Sequence, residues 1–375
     1  MRVAILAGMA GTQESPALTD AEAEMYAAFD REHLVPLWTE VGDLMPREPR
    51  SRVLPHRWRW ADLLAVARTA GSLVPVGRGG ERRAIALANP GLDGRPFATA
   101  TLWAAIQYLN PGENAPQHRH SQNAFRFVVE GEGVWTVVGG DAVSMKAGDF
   151  LPQAGWNWHS HINTSSGEMA WIDGLDIPLQ LALEATFFEP GLEEPEVVDT
   201  PERSRSERLW GHPGLRPAEA VQLAPGPPLL VYRWEHTDRA LDDQLALDDD
   251  RSVTAERGHA VVRYVDPVTG GDVLPTMRVE FHRFRPDTTS ATRREVGSSV
   301  FQVFSGVATV DVGDQSWAVD RGDLFVVPSW QPWRVTARDS GVDLFKFGDA
   351  PVMERLGLAR TRIEATAASA DGGER

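Results

Sequence analysis

The feature that most limits what this chain can fold into is that part of it occurs twice. FVVEGEGVWTVVGGDAVSMKAGDFLPQAGWNWH at 127–159 aligns with FQVFSGVATVDVGDQSWAVDRGDLFVVPSWQPW at 301–333. Gly131 falls on Gly306, Gly148–Asp149 on Gly322–Asp323 and Trp156 on Trp330, with one residue of slack between the first two anchors and none after them. Both copies are short runs of period-two alternation punctuated by glycine turns, the pattern of antiparallel strands. A unit of this length present twice points to two copies of one β-barrel domain, and 375 residues suffice for two.

The rest of the chain frames these copies. DAEAEMYAAFDREHLVPLWTEVGDLMPR (20–47) spaces its apolar residues three to four apart with Asp20 as the expected N-cap, and WRWADLLAVARTAG forms a second helical patch ending at Gly71. Between Pro190 and Pro228 eight prolines fall among acidic residues and arginines, which excludes a central strand or a long helix there. The expected division is a helical extension at 1–83, a first barrel at 84–190 and a proline-rich connection at 191–255 with a helix near Thr237–Leu247. A second barrel at 256–362 and a disordered tail at 363–375 complete it.

Charge and composition remove several function classes. A net charge of −16 argues against nucleic acid or an anionic membrane as partner. The absence of cysteine excludes disulfides, thiolate nucleophiles and cysteine-ligated zinc, so a metal would have to be held by histidine and carboxylate. No stretch approaches the roughly 18 apolar residues of a membrane span. The opening MRVAILAGMAG falls short of a secretory h-region, and a soluble, cytoplasmic chain is expected.

Four of the ten histidines crowd into 118–161. His118 and His120 form H-x-H inside an alternating stretch; on a strand they share a face, roughly 6–7 Å apart, and can reach one ion. His159 would arrive from a neighbouring strand. An isolated H-x-H is more often a barrel-lining pair than a ligand pair. Here it belongs to a longer pattern, G-x5-H-x-H (Gly112, His118, His120) followed by G-x10-H-x3-N (Gly148, His159, Asn163). Three imidazoles leave positions open on an octahedral metal, which suits catalysis. The second copy carries Arg293, Glu295 and Trp333 at the aligned positions, and no histidine follows His282. A fold requirement would have kept the triad in both. Arg126 shares the parity of His118 and His120, so an unbroken strand would point its donors inward toward an anionic group, and the aligned residue is Phe301. The alternative for Arg126 is a salt bridge at the barrel mouth.

The segments VPVGRGGERRAIALANPGL, PGENAPQHRHSQNAFRFVVEGEG, AGDFLPQAGWNWHSH, WIDGLDIPLQ and DPVTGGDVLPTM resemble those of the bicupin ring-cleaving dioxygenases, a family acting on gentisate, salicylate and 1-hydroxy-2-naphthoate. The resemblance covers roughly 22–362. It implies an all-β bicupin, two double-stranded β-helix (jelly-roll) barrels with an N-terminal α-helical extension, assembled as a homotetramer. It also implies one Fe(II) per chain in the first barrel, held by His118, His120 and His159, with O₂ and a small aromatic hydroxy acid as substrates. From gentisate the product would be maleylpyruvate. Many cupins add a glutamate four or five residues beyond the second histidine; Ala124 and Phe125 stand there, which fits the subgroup with neutral ligands only.

The same resemblance adds Arg82 as a second carboxylate contact, Gln107 as a polar group near the bound hydroxyl, and His161 as a residue that either stands behind the ligands or handles a proton. His161 could equally be a fourth ligand or a wall residue. Asp173, like Asp176 nearby, could orient a ligand histidine or stabilise a turn. Trp103 stands where gentisate-cleaving members tend to carry tyrosine and broader salicylate-cleaving members tryptophan. Arg78 and Arg83 read as solvated surface charges. The rivals are a quercetin- or diketone-cleaving dioxygenase, a sugar isomerase, and a metal-free binding or storage bicupin.

Overall fold

The computed structural model describes residues 18–74, 83–191, 200–219, 225–248 and 256–364. Residues 1–50 and 51–375 are two compact units. In the first, a helix spans Asp20–Arg31, and its N-cap is Thr19 rather than Asp20. The Thr19 hydroxyl accepts from the Glu22 N–H while the Glu22 carboxylate accepts from the Thr19 N–H, a reciprocal pair that satisfies two N-terminal donors. Asp20 sits in the first turn, where negative charge favours the helix dipole. The helical stretch read as 20–47 is two helices: the first closes where His33 turns left-handed (φ +55°) and the Leu34 N–H bonds back to Phe29 O, and Pro36 stands at the N-cap of the second, Leu37–Leu44.

In the second unit the first barrel is two facing sheets. One orders its strands Ala84–Ala86, Trp103–Leu109, Met169–Leu175, Ala124–Glu130 and Phe150–Gln153; the other orders Phe188–Pro190, Asn114–His120, His159–Asn163, Glu132–Val138 and Asp141–Lys146. All pairings are antiparallel. The second barrel is built alike around two long strands, Ser299–Val312 and Trp333–Gly348. This is the expected all-β, two-barrel architecture.

Alternation within single strands explains how the barrels join. In Ala124–Glu130, Phe125, Phe127 and Val129 face an apolar layer shared with the second barrel, whereas Val128 joins the first barrel's own core. Phe127 stacks on Phe345 with centroids 3.9 Å apart and planes at 10°. Burying a phenylalanine on each side of that layer contributes about 1.5–3 kcal/mol per ring.

The two copies are linked crosswise by their Gly-Asp turns. Asp149 Oδ1 accepts the N–H of Trp234, the first residue of helix Trp234–Ala246, at 3.0 Å. Asp323 Oδ1 accepts that of Trp60, the first residue of helix Trp60–Leu73, at 2.9 Å. A carboxylate at a helix N-terminus meets both an unsatisfied donor and the dipole. The repeat is therefore longer than the aligned stretch: a short β contact, a three-residue strand in one copy and a single bridge in the other, and a helix precede each barrel. His56–Trp58, inside the segment read as helical extension, pairs with Leu324–Val327 of the second barrel, and Tyr232 bridges Phe150 of the first. The helix ending the 58–71 patch runs to Leu73, beyond Gly71, and the connection's helix starts at Trp234 rather than near Thr237.

Gly322 has φ +93°, and a Cβ there would lie 2.2 Å from Trp60 Cγ. Replacing it combines left-handed strain with a clash against a buried ring. Gly322→Ala is expected to destabilise the protein by about 2 kcal/mol or more, read as a lower denaturation midpoint. An unchanged midpoint would mean the turn is not fixed by this packing. The tail expected at 363–375 lies outside the described residues except for Ile363 and Glu364, which end strand Thr361–Glu364.

Candidate metal centre and its surroundings

His118 and His120 lie on strand Asn114–His120, and His159 opens the neighbouring strand, directly opposite His118 in register. All three are buried, and one ring nitrogen of each lies within 4.8 Å of the others. Ring centroids stand 5.8 Å (His118–His120), 4.1 Å (His118–His159) and 5.0 Å (His120–His159) apart. The far nitrogens face backbone carbonyls: His118 Nδ1 to Pro116 O at 3.0 Å, His120 Nδ1 to Gln122 O at 3.0 Å, His159 Nδ1 to Asn157 O at 2.9 Å. A carbonyl can only accept, so in His118 and His120 the contact places the proton on Nδ1 and leaves Nε2 as the lone-pair donor; in His159, whose Nδ1 also lies 2.7 Å from Gln153 Nε2, the Asn157 carbonyl favours the same tautomer. Three buried neutral nitrogen donors fit a divalent transition metal.

Trp156 has φ +69°, and its N–H donates to His120 O at 2.7 Å. Trp330 has φ +64° and donates to Glu295 O at the same 2.7 Å. The second barrel keeps this strained turn without the histidines, so it serves the fold. It also confirms that Glu295 occupies the place of His120. Arg293 stands opposite Trp333 as His118 stands opposite His159.

Arg126 points inward, though not by the expected route. The strand with the histidines ends at His120, and Arg126 sits on Ala124–Glu130 of the opposite sheet. It is 1% exposed; Nη1 donates to Gln153 Oε1 at 2.6 Å and Nε to His161 Nε2 at 3.1 Å, with Asp173 Oδ1 3.9 Å from Nε. This is a buried, fixed fork of donors rather than a salt bridge at the mouth. His161 faces Thr136 Oγ1 through Nδ1 at 2.9 Å, and its centroid lies 6.2 Å from that of His159. It supports Arg126 and is not among the clustered nitrogens.

Asp173 Oδ1 accepts from Trp171 Nε1 at 2.9 Å; backbone carbonyls, not Asp173, stand at the far nitrogens of the triad. Asp176 takes the turn-stabilising role, accepting from Asn123, Gln180 and Thr276. Burial raises its carboxyl above the usual carboxylate range against the pull of those donors. Gln107 and Trp103 share the inward parity of strand Trp103–Leu109, opposite Trp171 and Leu175. Gln107 is fully buried, and neither amide atom has a hydrogen-bond partner. Leaving a buried amide unpaired is destabilising by about 1–3 kcal/mol.

Arg82 and Arg78 lie outside the described residues. Arg83 is not a surface charge: it is buried and pairs with Glu113, donating also to Val74 O and Tyr108 O. Burial would raise the Glu113 carboxyl, yet Arg83 and the Asn110 N–H hold it below its usual value. Sequence reasoning missed Gln153 and Thr136. The signal was present, since strand register places the apolar Val327 and Val310 at their positions in the second copy.

Comparison with known proteins agrees with this geometry. A cupin domain matches residues 105–177. A gentisate 1,2-dioxygenase of Streptomyces sp is 57% identical over 90% of this chain and 94% of its own length. A 5-aminosalicylate 1,2-dioxygenase of Comamonas sp is 33% identical over 92% and 91% respectively. The solved structure of salicylate 1,2-dioxygenase from Pseudoaminobacter salicylatoxidans, in its adduct with gentisate, superposes with a TM-score of 0.90 at 54% identity, covering 94% of this chain and 96% of that one. With two barrels, one of them carrying a buried triad of imidazoles, this chain belongs to the bicupin ring-cleaving 1,2-dioxygenases.

Proposed function

We propose that this chain is an Fe(II)-dependent dioxygenase that opens the ring of gentisate (2,5-dihydroxybenzoate) between its carboxyl- and hydroxyl-bearing carbons, giving maleylpyruvate. The observation that carries the reading is the juxtaposition of a buried neutral triad with the Arg126 guanidinium. The 57% identical Streptomyces relative and the gentisate adduct of the salicylate enzyme support the substrate. Fe(II) held by His118, His120 and His159 would supply the redox chemistry between ring and O₂, with its charge uncancelled by any ligand.

The chain's own groups supply the positioning. Arg126 offers a planar fork to the substrate carboxylate and fixes which edge of the ring faces the triad. His161 keeps the Arg126 Nε direction set. Gln107 offers its free amide to a ring oxygen, which removes the penalty of leaving it unpaired. The second barrel has a different task, packing the first: Lys346 lies 3.2 Å from Glu280 and 3.6 Å from Glu295, and an ammonium beside those positions repels a metal cation. No helix among the described residues is long and apolar enough to cross a membrane. Cytoplasmic homotetramers are the assembly this reading implies, and a monomeric mass by light scattering would contradict it.

Trp103 and the salicylate 1,2-dioxygenase match favour a second reading, a wider substrate range reaching salicylates and 1-hydroxy-2-naphthoate. Anaerobic loading with Fe(II), then addition of gentisate, salicylate or 1-hydroxy-2-naphthoate in air, separates the two. Oxygen uptake greatest with gentisate supports the first reading, and comparable uptake with the others supports the second. No uptake with any of them excludes both.

A further inference from the structure

We infer that Gln153 is a positioning residue that sets the Arg126 guanidinium beside the triad, and so governs capture of the substrate carboxylate rather than retention of the metal. The inference rests on Arg126 being the carboxylate contact. Gln153 ends strand Phe150–Gln153 and is 1% exposed. Arg126 has only donors, so the amide atom facing it, 2.6 Å from Nη1, is the oxygen. The amide nitrogen is thereby turned to His159, 2.7 Å from Nδ1 and 3.2 Å from Nε2.

The two contacts differ in strength. Nδ1 of His159 also faces Asn157 O at 2.9 Å. A proton on Nδ1 serves Asn157, whereas the Gln153 N–H needs a lone pair there, so both cannot be satisfied. Nε2 can bind a metal only when the proton is on Nδ1, and then the Asn157 carbonyl, not the Gln153 N–H, is the partner that suits Nδ1. What remains of Gln153's role is its charge-assisted bond to Arg126, a stronger class than a neutral pair. The twin barrel agrees: where Arg126 is replaced by Phe301, Gln153 is replaced by Val327. Strand register makes Lys346 the counterpart of Asp173, so the second barrel has lost the whole polar support of that arginine.

The test uses the full-length, iron-loaded protein. Gln153→Val installs the residue its twin buries at this place, and Gln153→Glu keeps an acceptor for Arg126 while neutralising its charge. Iron bound per chain after dialysis, KM and kcat for the aromatic acid, and the thermal midpoint are measured for each. The expected result is iron within about threefold of wild type, with KM raised about tenfold in Gln153→Val and at least as much in Gln153→Glu. A tenfold loss of iron would make Gln153 a brace for His159, and an unchanged KM would make it structural; either overturns the inference. Wild-type turnover is the control: if the wild type consumes no aromatic acid, the proposed function fails independently of Gln153. If Gln153→Val does not fold, Gln153→Glu decides alone.

Discussion

His159→Ala is expected to reduce iron binding by at least about 100-fold and to abolish oxygen uptake with the aromatic acid. Residues behind metal ligands already govern affinity by 10–100-fold when mutated, and a ligand should exceed them. His159 is fully buried and directly opposite His118, so no flexible side chain or bulk water replaces its nitrogen at the common point without rearranging the strand pair. The matched control is Trp333→Ala at the equivalent place in the second barrel. Trp333 is 3% exposed and packs on Phe301 at 5.2 Å. Emptying it costs about 3–5 kcal/mol of stability while iron per folded chain stays as in wild type. Equal iron loss in both variants would show that the barrels have been assigned the wrong tasks.

Arg126→Leu is expected to raise KM for the aromatic acid by roughly 100-fold or more, since removing one partner of a buried charged pair costs about 2–5 kcal/mol. Arg126→Lys should recover little of this, because an ammonium cannot present the planar fork that Gln153 and His161 align. Iron content should stay near the wild-type level in both, as each ligand histidine has a backbone carbonyl at Nδ1 that does not depend on Arg126. Steady-state kinetics on iron-assayed protein check this; a wild-type KM in Arg126→Leu would remove the arginine from substrate binding.

Much of this was legible because the chain carries its own control. Comparing copies separated fold from chemistry: Gly148–Asp149 and Gly322–Asp323 persist in both because each seats a tryptophan and caps a helix. The triad, Arg126 and Gln153 occur only in the first copy, where Phe301, Val327 and Trp333 fill the same space in the second. The crosswise docking was hidden, since nothing in HRW or in RWADLL tells a strand or helix which of two similar barrels it will meet. Thr19 displaced Asp20 as cap because reciprocal bonding with Glu22 depends on a spacing of three from the cap itself. The interior direction of Arg126 was reached through parity along one strand, yet a turn at 121–123 resets parity, and inwardness follows from the opposing sheet. Arg83 is buried, not solvated, because its charge is met by Glu113, a partner distant in sequence that local composition does not reveal.

The most direct test of the central claim is anomalous scattering at the iron edge from crystals loaded anaerobically with Fe(II). One peak per chain, within bonding distance of Nε2 of His118, His120 and His159 and absent from the second barrel, is the expected result. A peak elsewhere, a second one near Glu295 and Trp333, or none at the triad under saturating iron would contradict it.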